Sequence, residues 1–146
     1  MSEALPVDSS LFFKLVRVVN LTARPFQETV GKANHLTLNE WRAMVVLASH
    51  PGVAAAEVAE LTGLDKMAIS RAIAGLDGAG RLRKAPDPAD QRRSLLFLST
   101  GGQRLFAKVG RSAKKREAEL FVALGKQEQE QLNATLDKLL TGLTAR

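Results

Sequence analysis

Between Ala55 and Ile73 two short apolar-periodic stretches meet at a single glycine, Gly63, and no other feature narrows the available folds as much. The first stretch, Ala55 to Leu61, turns Val58 and Leu61 inward and leaves Ala59 facing its successor. The second begins at Asp65 and carries Ile69, Ala72 and Ile73. Two helices that cross steeply through a short turn need a small residue at the crossing and a turn residue able to take positive φ. Ala59 and Gly63 meet both needs. Asp65 is placed to cap the second helix, and Leu64 ahead of the cap can contact Ile69 beyond it as a hydrophobic staple. The pattern predicts a helix-turn-helix.

The residues beyond the second helix predict a wing. That helix contains Gly75 and Gly78, each costing up to about 1 kcal/mol relative to Ala in a helix interior, so packing must compensate. Gly80 reads as its C-terminal cap. Residues 81–84 and 94–98 read as two strands joined by the charged hairpin from Lys84 to Ser94, with turn chemistry in Asp87-Pro88-Ala89-Asp90 and a single sheet pairing expected at Val53.

The flanks are helical. Ser9 or Ser10 can cap a first helix bearing Leu11, Phe12, Leu15, Val16, Val19 and Thr22, kinked at Pro25 and ending near Lys32. Thr37 and Glu40 form a capping box for a helix to Ser49 that buries Trp41, Met44, Val45 and Leu47 or Ala48. Ser99 or Thr100 caps a long helix from about Gly102 to Leu124, broken by Gly125. A last helix carries the stripe Leu132, Leu136, Leu139, Leu140 and Leu143, which demands a partner surface. The expected fold is mainly α with a small β wing, in one unit over residues 1–146.

Composition sets limits. A formal net charge of +6 favours an anionic partner, and the absence of cysteine excludes disulfides, thiol sensing and thiolate metal sites. The N-terminus lacks the basic and apolar regions of a signal peptide, and no apolar run approaches the ~18 residues of a membrane span. A cytoplasmic location without membrane association is expected. His35 and His50 stand apart with no carboxylate or thiol at ligand spacing, and no phosphate-cradling loop or nucleophile motif is present. No catalysis, cofactor or metal is expected.

Lys66, Met67, Ser70 and Arg71 occupy the side of the second helix left over once Leu64, Ile69 and Ile73 are buried. Such a helix enters the DNA major groove with its first turns against base edges. The competing reading is a solvated amphipathic face. In the wing, Arg92 and Arg93 supply cations near the tip, and Asp90 is placed to orient the Arg92 guanidinium as a bidentate pair for a narrow minor groove. A charged hairpin that only maintains solubility competes with that reading, as a solvated helix face does for the basic run from Lys108 to Arg116.

The stretches Leu36-Thr37-Leu38-Asn39-Glu40-Trp41, Glu57-Val58-Ala59-Glu60-Leu61-Thr62-Gly63-Leu64-Asp65-Lys66, Ile69-Ser70-Arg71 and Asp87-Pro88-Ala89-Asp90-Gln91-Arg92-Arg93 resemble the MarR family of bacterial transcriptional regulators. The motif match covers Leu36 to Leu105, and outside it only the helix order matches. The resemblance implies a triangular homodimer in which residues 9–32 and 100–146 form the dimerisation helices. Residues 36–98 then form winged lobes that bind a pseudo-palindromic operator in double-stranded DNA, and small anionic aromatic ligands often relieve that binding. It places Ser70 and Arg71 on the recognition helix and Asp90 and Arg92 at the wing tip.

Two departures narrow the branch. Peroxide-sensing members use a cysteine, which this chain lacks, and urate-sensing members carry a Trp in the first helix, where this chain's only Trp is Trp41 in the second. For an aromatic or phenolic effector the candidate liners are Arg17, His35, Trp41 and Met44, with a structural role competing for His35 and Trp41. The expectation is a homodimeric, sequence-specific regulator, a repressor released by such a ligand. The alternatives are a winged-helix protein-interaction module and a ligand-independent architectural DNA-binding protein.

Overall fold

The computed structural model describes residues 6–145. They fall into two compact units that divide within a helix, between Arg111 and Ser112. The first begins with α1 (Leu11–Glu28), capped by Ser10, whose hydroxyl accepts from the Phe13 amide at 3.2 Å. Rather than running on past a kink at Pro25 toward Lys32, the helix passes through Pro25 and breaks at Thr29, before the single turn α2 (Val30–Ala33). Thr29 still donates its amide and its hydroxyl to the Pro25 carbonyl, and its backbone at φ −120, ψ −90 then leaves the helical region.

Helix α3 (Leu38–Ser49) is the hub. It packs on α1, α4, α5 and the wing. Its capping box forms as expected: the Thr37 hydroxyl accepts from the Glu40 amide at 3.1 Å and the Thr37 amide donates to Glu40 Oε1 at 2.8 Å. Having neighbours on several sides widens its buried arc to Glu40, Trp41, Ala43, Met44, Val46 and Leu47. Val45, expected inside, is 40% exposed, so the inward arc passes through Val46 instead.

Helix α4 (Ala55–Thr62) buries Val58 completely, whereas Leu61, also expected inside, is 54% exposed. Leu61 stands one residue from the helix end, where it has turned to solvent. Gly63 takes φ +76 with no atom within 4 Å of a notional Cβ, so its requirement is conformational and not one of space. Helix α5 (Lys66–Gly78) follows, capped by Asp65, whose Oδ1 accepts from the Ala68 amide at 2.8 Å. It ends in a Schellman motif: Gly80 at φ +73 donates to the Asp77 carbonyl at 3.0 Å, and Arg81 donates to that of Leu76 at 2.9 Å.

The wing pairs β1 (Leu82–Asp87) with β2 (Asp90–Leu98) in antiparallel register from Leu82 opposite Leu98 to Asp87 opposite Asp90. Both strands run further than 81–84 and 94–98. Val53 bridges Leu96 on the other side of β2, which leaves β1 as an edge strand that tolerates Pro86. The register shifts between Pro86 and Asp87, so Gln91, Arg92 and Arg93 form a bulge opposite the end of β1.

Ser99 caps α6 (Thr100–Phe121), its hydroxyl accepting from the Gly102 amide at 3.0 Å. Helix α6 stops before Leu124, and Gly125 serves as the N-cap of α7 (Lys126–Thr144). Leu136, Leu139, Leu140 and Leu143 on α7 are all exposed. No described helix is long and apolar enough to cross a membrane.

Candidate nucleic-acid interface

The sequence of α5 divides cleanly between two faces. Ile69, Ala72, Ile73 and Leu76 are buried, while Lys66, Met67, Ser70 and Arg71 are all exposed. Positions 66, 67, 70 and 71 share one side because residues four apart are neighbours on a helix. Arg71 Nη2 lies 3.5 Å from the Met67 sulfur, a weak contact that lays the guanidinium along the helix. Among the described residues neither Lys66 nor Arg71 forms an ion pair, so both charges are available to an external anion.

At the wing tip the aspartates hold backbone. Asp87 Oδ1 accepts from the Ala89 amide at 2.9 Å, and Asp90 Oδ1 accepts from the Arg92 amide at 3.0 Å. The expected bidentate Asp90–Arg92 fork is absent: Arg92 Nε approaches only Oδ1, at 3.7 Å, and the Arg92 side chain is 95% exposed. The oxygen that would have gripped the guanidinium already serves the bulged backbone. Arg92 is therefore extended into solvent.

Arg93 behaves differently from its neighbour. Its Nη2 donates to Glu57 Oε1 on α4, and its Nε lies 3.6 Å from Asp87 Oδ2. That hydrogen bond from Arg93 is the main reason the Glu57 carboxyl sits below its ordinary value, and Glu57 in turn raises Arg93. Glu57 Oε2 also accepts from the Ala54 amide at 2.9 Å and so caps α4.

Sequence reasoning missed Glu57 as a wing partner, together with two other tethers of the wing. Lys84 Nζ pairs with Asp77 Oδ2 of α5 at 3.4 Å, and the Arg83 guanidinium lies 4.2 Å from the centre of the Phe97 ring. Cross-strand register carries a signal for the second, since Arg83 faces Phe97, but nothing local announces the first.

The four ligand candidates do not share one environment. Met44 is fully buried, and Trp41 lies in the core with its ring stacked on Phe106 at 5.0 Å and tilted against Phe26 at 6.3 Å. Arg17 is exposed on α1. His35 is exposed in the turn before α3 at φ 49, where its carbonyl accepts from Arg81 Nη1 at 3.1 Å and that of Asn34 from Arg81 Nη2 at 2.6 Å. A groove between α1 and the start of α3 is lined by Val19, Ala23 and Leu38 with the cations Arg24 and Arg42, and none of the four candidates lines it.

Residues 36–93, the helix-turn-helix and most of the wing, match the model of the MarR family. The transcriptional regulator HosA of Escherichia coli O111:H- is 24% identical over 119 residues, 79% of this chain and 88% of its own length. The structure of a probable transcriptional regulator from Pseudomonas aeruginosa is 28% identical with a TM-score of 0.79, covering 92% of this chain and 99% of that one. BpsR of Bordetella bronchiseptica, whose DNA binding is regulated by 6-hydroxynicotinic acid, shares the fold with a TM-score of 0.81 at 21% identity, over 94% of this chain and 97% of its own. Members of the matched family are transcriptional regulators and not enzymes. With motif, helix order and wing in agreement, residues 36–93 match the MarR-family model, and most of the chain is similar to transcriptional regulators with a winged helix of that type.

Proposed function

We propose that the chain is one protomer of a homodimeric, sequence-specific repressor, with Lys66, Met67, Ser70 and Arg71 reading base edges in the major groove and Arg92 entering the minor groove. The observation that carries this reading is the placement of unpaired cations on the exposed side of α5 while its opposite side is sealed in the core. Arg pairs with guanine, Ser with base or phosphate, and an apolar Met with a thymine methyl. Two-fold symmetry favours a pseudo-palindrome with half-sites about 10 bp apart.

A second copy of the chain suits the apolar surface left uncovered on α1. Leu11 is 80% and Phe12 74% exposed, and Leu15, Val16 and Val19 continue the same face. For the effector, the α1–α3 groove is mostly polar, with Asn20, Gln27, Thr37 and Asn39 beside Val19, Ala23 and Leu38, and its cations Arg24 and Arg42 can pair with the carboxylate of an aromatic acid. The regulation of BpsR by an aromatic acid supports that class of ligand.

Mobility shift with the DNA upstream of the protein's own coding sequence tests the reading. Tight, competitor-resistant binding that aromatic acids relieve is expected. Weak binding abolished by competitor returns the chain to a module that meets acidic proteins. Tight binding unaffected by any aromatic acid leaves an architectural role.

A further inference from the structure

Two adjacent arginines in the wing have opposite surroundings, and the difference assigns them different work. Both lie in the bulge over Gln91, Arg92 and Arg93, where regular strand alternation is broken, so their contacts and not strand periodicity distinguish them. Arg92 is extended, with 95% of its side chain exposed. Arg93 is held between Glu57 and Asp87, with its side chain 42% exposed. A single guanidinium thereby joins the end of β1, the bulge of β2 and the first turn of α4.

We propose that Arg93 is a positioning residue that latches the wing to the N-terminus of α4 and so sets where Arg92 is presented, and is not itself a contact to the duplex. Moving Arg93 to a phosphate would leave two carboxylates, Glu57 and Asp87, without their cation beside a polyanion. Like charges so placed repel DNA, and the phosphate gained would be offset by the pairs lost. Glu57 suits the anchoring role for a second reason. Its other oxygen accepts from the Ala54 amide at 2.9 Å, so the carboxylate is fixed to the helix end before the arginine arrives. Lys84–Asp77, at 3.4 Å, fixes the base of the same strand pair to α5. Together the two ion pairs hold the wing at its root and near its tip against the two helices of the reading head.

The inference rests on the proposed DNA contacts, and its test separates the two. Anisotropy titrations across a range of salt, with a mixed-sequence duplex of about three helical turns, compare the parent with Arg92→Ala, Arg93→Ala, Glu57→Gln and the double variant Glu57→Gln/Arg93→Ala. Arg92→Ala is expected to lower the slope of log K against log salt by about 0.9, the loss of one neutralised phosphate. Arg93→Ala and Glu57→Gln are expected to weaken binding by the same few-fold factor with the parent's slope, the double variant no further, and Arg93→Lys to recover part of the loss. A slope reduced by Arg93→Ala, or tighter binding in Glu57→Gln, overturns the latch. Amide hydrogen exchange over residues 90–94 of the free protein tests it without DNA. Faster exchange by a common factor in Arg93→Ala and Glu57→Gln supports the latch, and unchanged exchange in both refutes it. Absence of any duplex binding by the parent contradicts the DNA-contact reading and leaves the exchange result to decide the latch.

Discussion

Glu40 of α3 occupies the space where a side chain on Gly75 of α5 would begin: a Cβ at position 75 would lie 1.9 Å from Glu40 Oε2. The other carboxylate oxygen, Oε1, accepts from the Thr37 amide at 2.8 Å, and the residue is only 8% exposed. The capping box of one helix thus dictates glycine in the next, and this contact is the packing that compensates for a helix-interior glycine.

Gly75→Ala should drive Glu40 out of its capping box, a loss of about 1 kcal/mol or more that exceeds the gain in helix propensity. Gly78→Ala meets no atom within 4 Å of its Cβ and should stabilise the protein by up to about 1 kcal/mol. Urea unfolding of both variants checks the contrast. In a Glu40→Ala background the penalty at position 75 should vanish, because the two substitutions share one contact.

Arg81 joins the residue after the end cap of α5 to the turn before α3, through carbonyls 46 and 47 residues away in sequence. Both bonds come from a charged donor, so Arg81→Ala should cost about 1–2 kcal/mol in unfolding experiments. Hydrogen exchange in the α2–α3 turn should quicken, since the His35 backbone at φ 49 then loses its external support.

The Glu57–Arg93 pair makes a small, signed contribution to pH dependence. Because the folded carboxyl lies below its ordinary value, chiefly through the Arg93 hydrogen bond, its contribution is complete above the unfolded carboxylate value and is lost as pH falls through the folded one. Glu57→Gln retains an oxygen for the Ala54 amide but loses the charge. Its urea midpoint should fall slightly below the parent's near neutrality, and the gap should close under acid conditions. The effect should be modest because water screens the pair.

If α1 meets a second copy, charge on its apolar face should separate the protomers. Phe12→Glu combined with Val16→Glu should raise the dimer dissociation constant by about two orders of magnitude, equivalent to losing roughly 3 kcal/mol of apolar burial. Light scattering at micromolar protein should then read the mass of one protomer, where the parent reads two. A parent that is already monomeric would contradict the dimer.

Local chemistry makes much of the fold legible in the sequence. Caps at Ser10, Thr37 and Asp65 and the glycines at 63 and 80 all arise from residues within a few positions of the feature they create. Departures arise where distant chain decides. Val45 and Leu61 are apolar and correctly spaced, yet which side of a helix is inward depends on how many neighbours surround it. The environments of Arg92 and Arg93 differ because Glu57, 36 residues from Arg93, reaches only one of them. Trp41 and Met44 lie on the helix their spacing predicts, but burial assigns them to the core rather than to an open groove.

Genome-wide footprinting of the bound protein decides whether α5 reads sequence. Discrete protected sites are expected, each a pseudo-palindrome with half-sites about 10 bp apart, that weaken or disappear when Arg71→Ala removes about 1–3 kcal/mol at the cognate bases. Diffuse protection without a common sequence, or sites that survive Arg71→Ala unchanged, would contradict that reading.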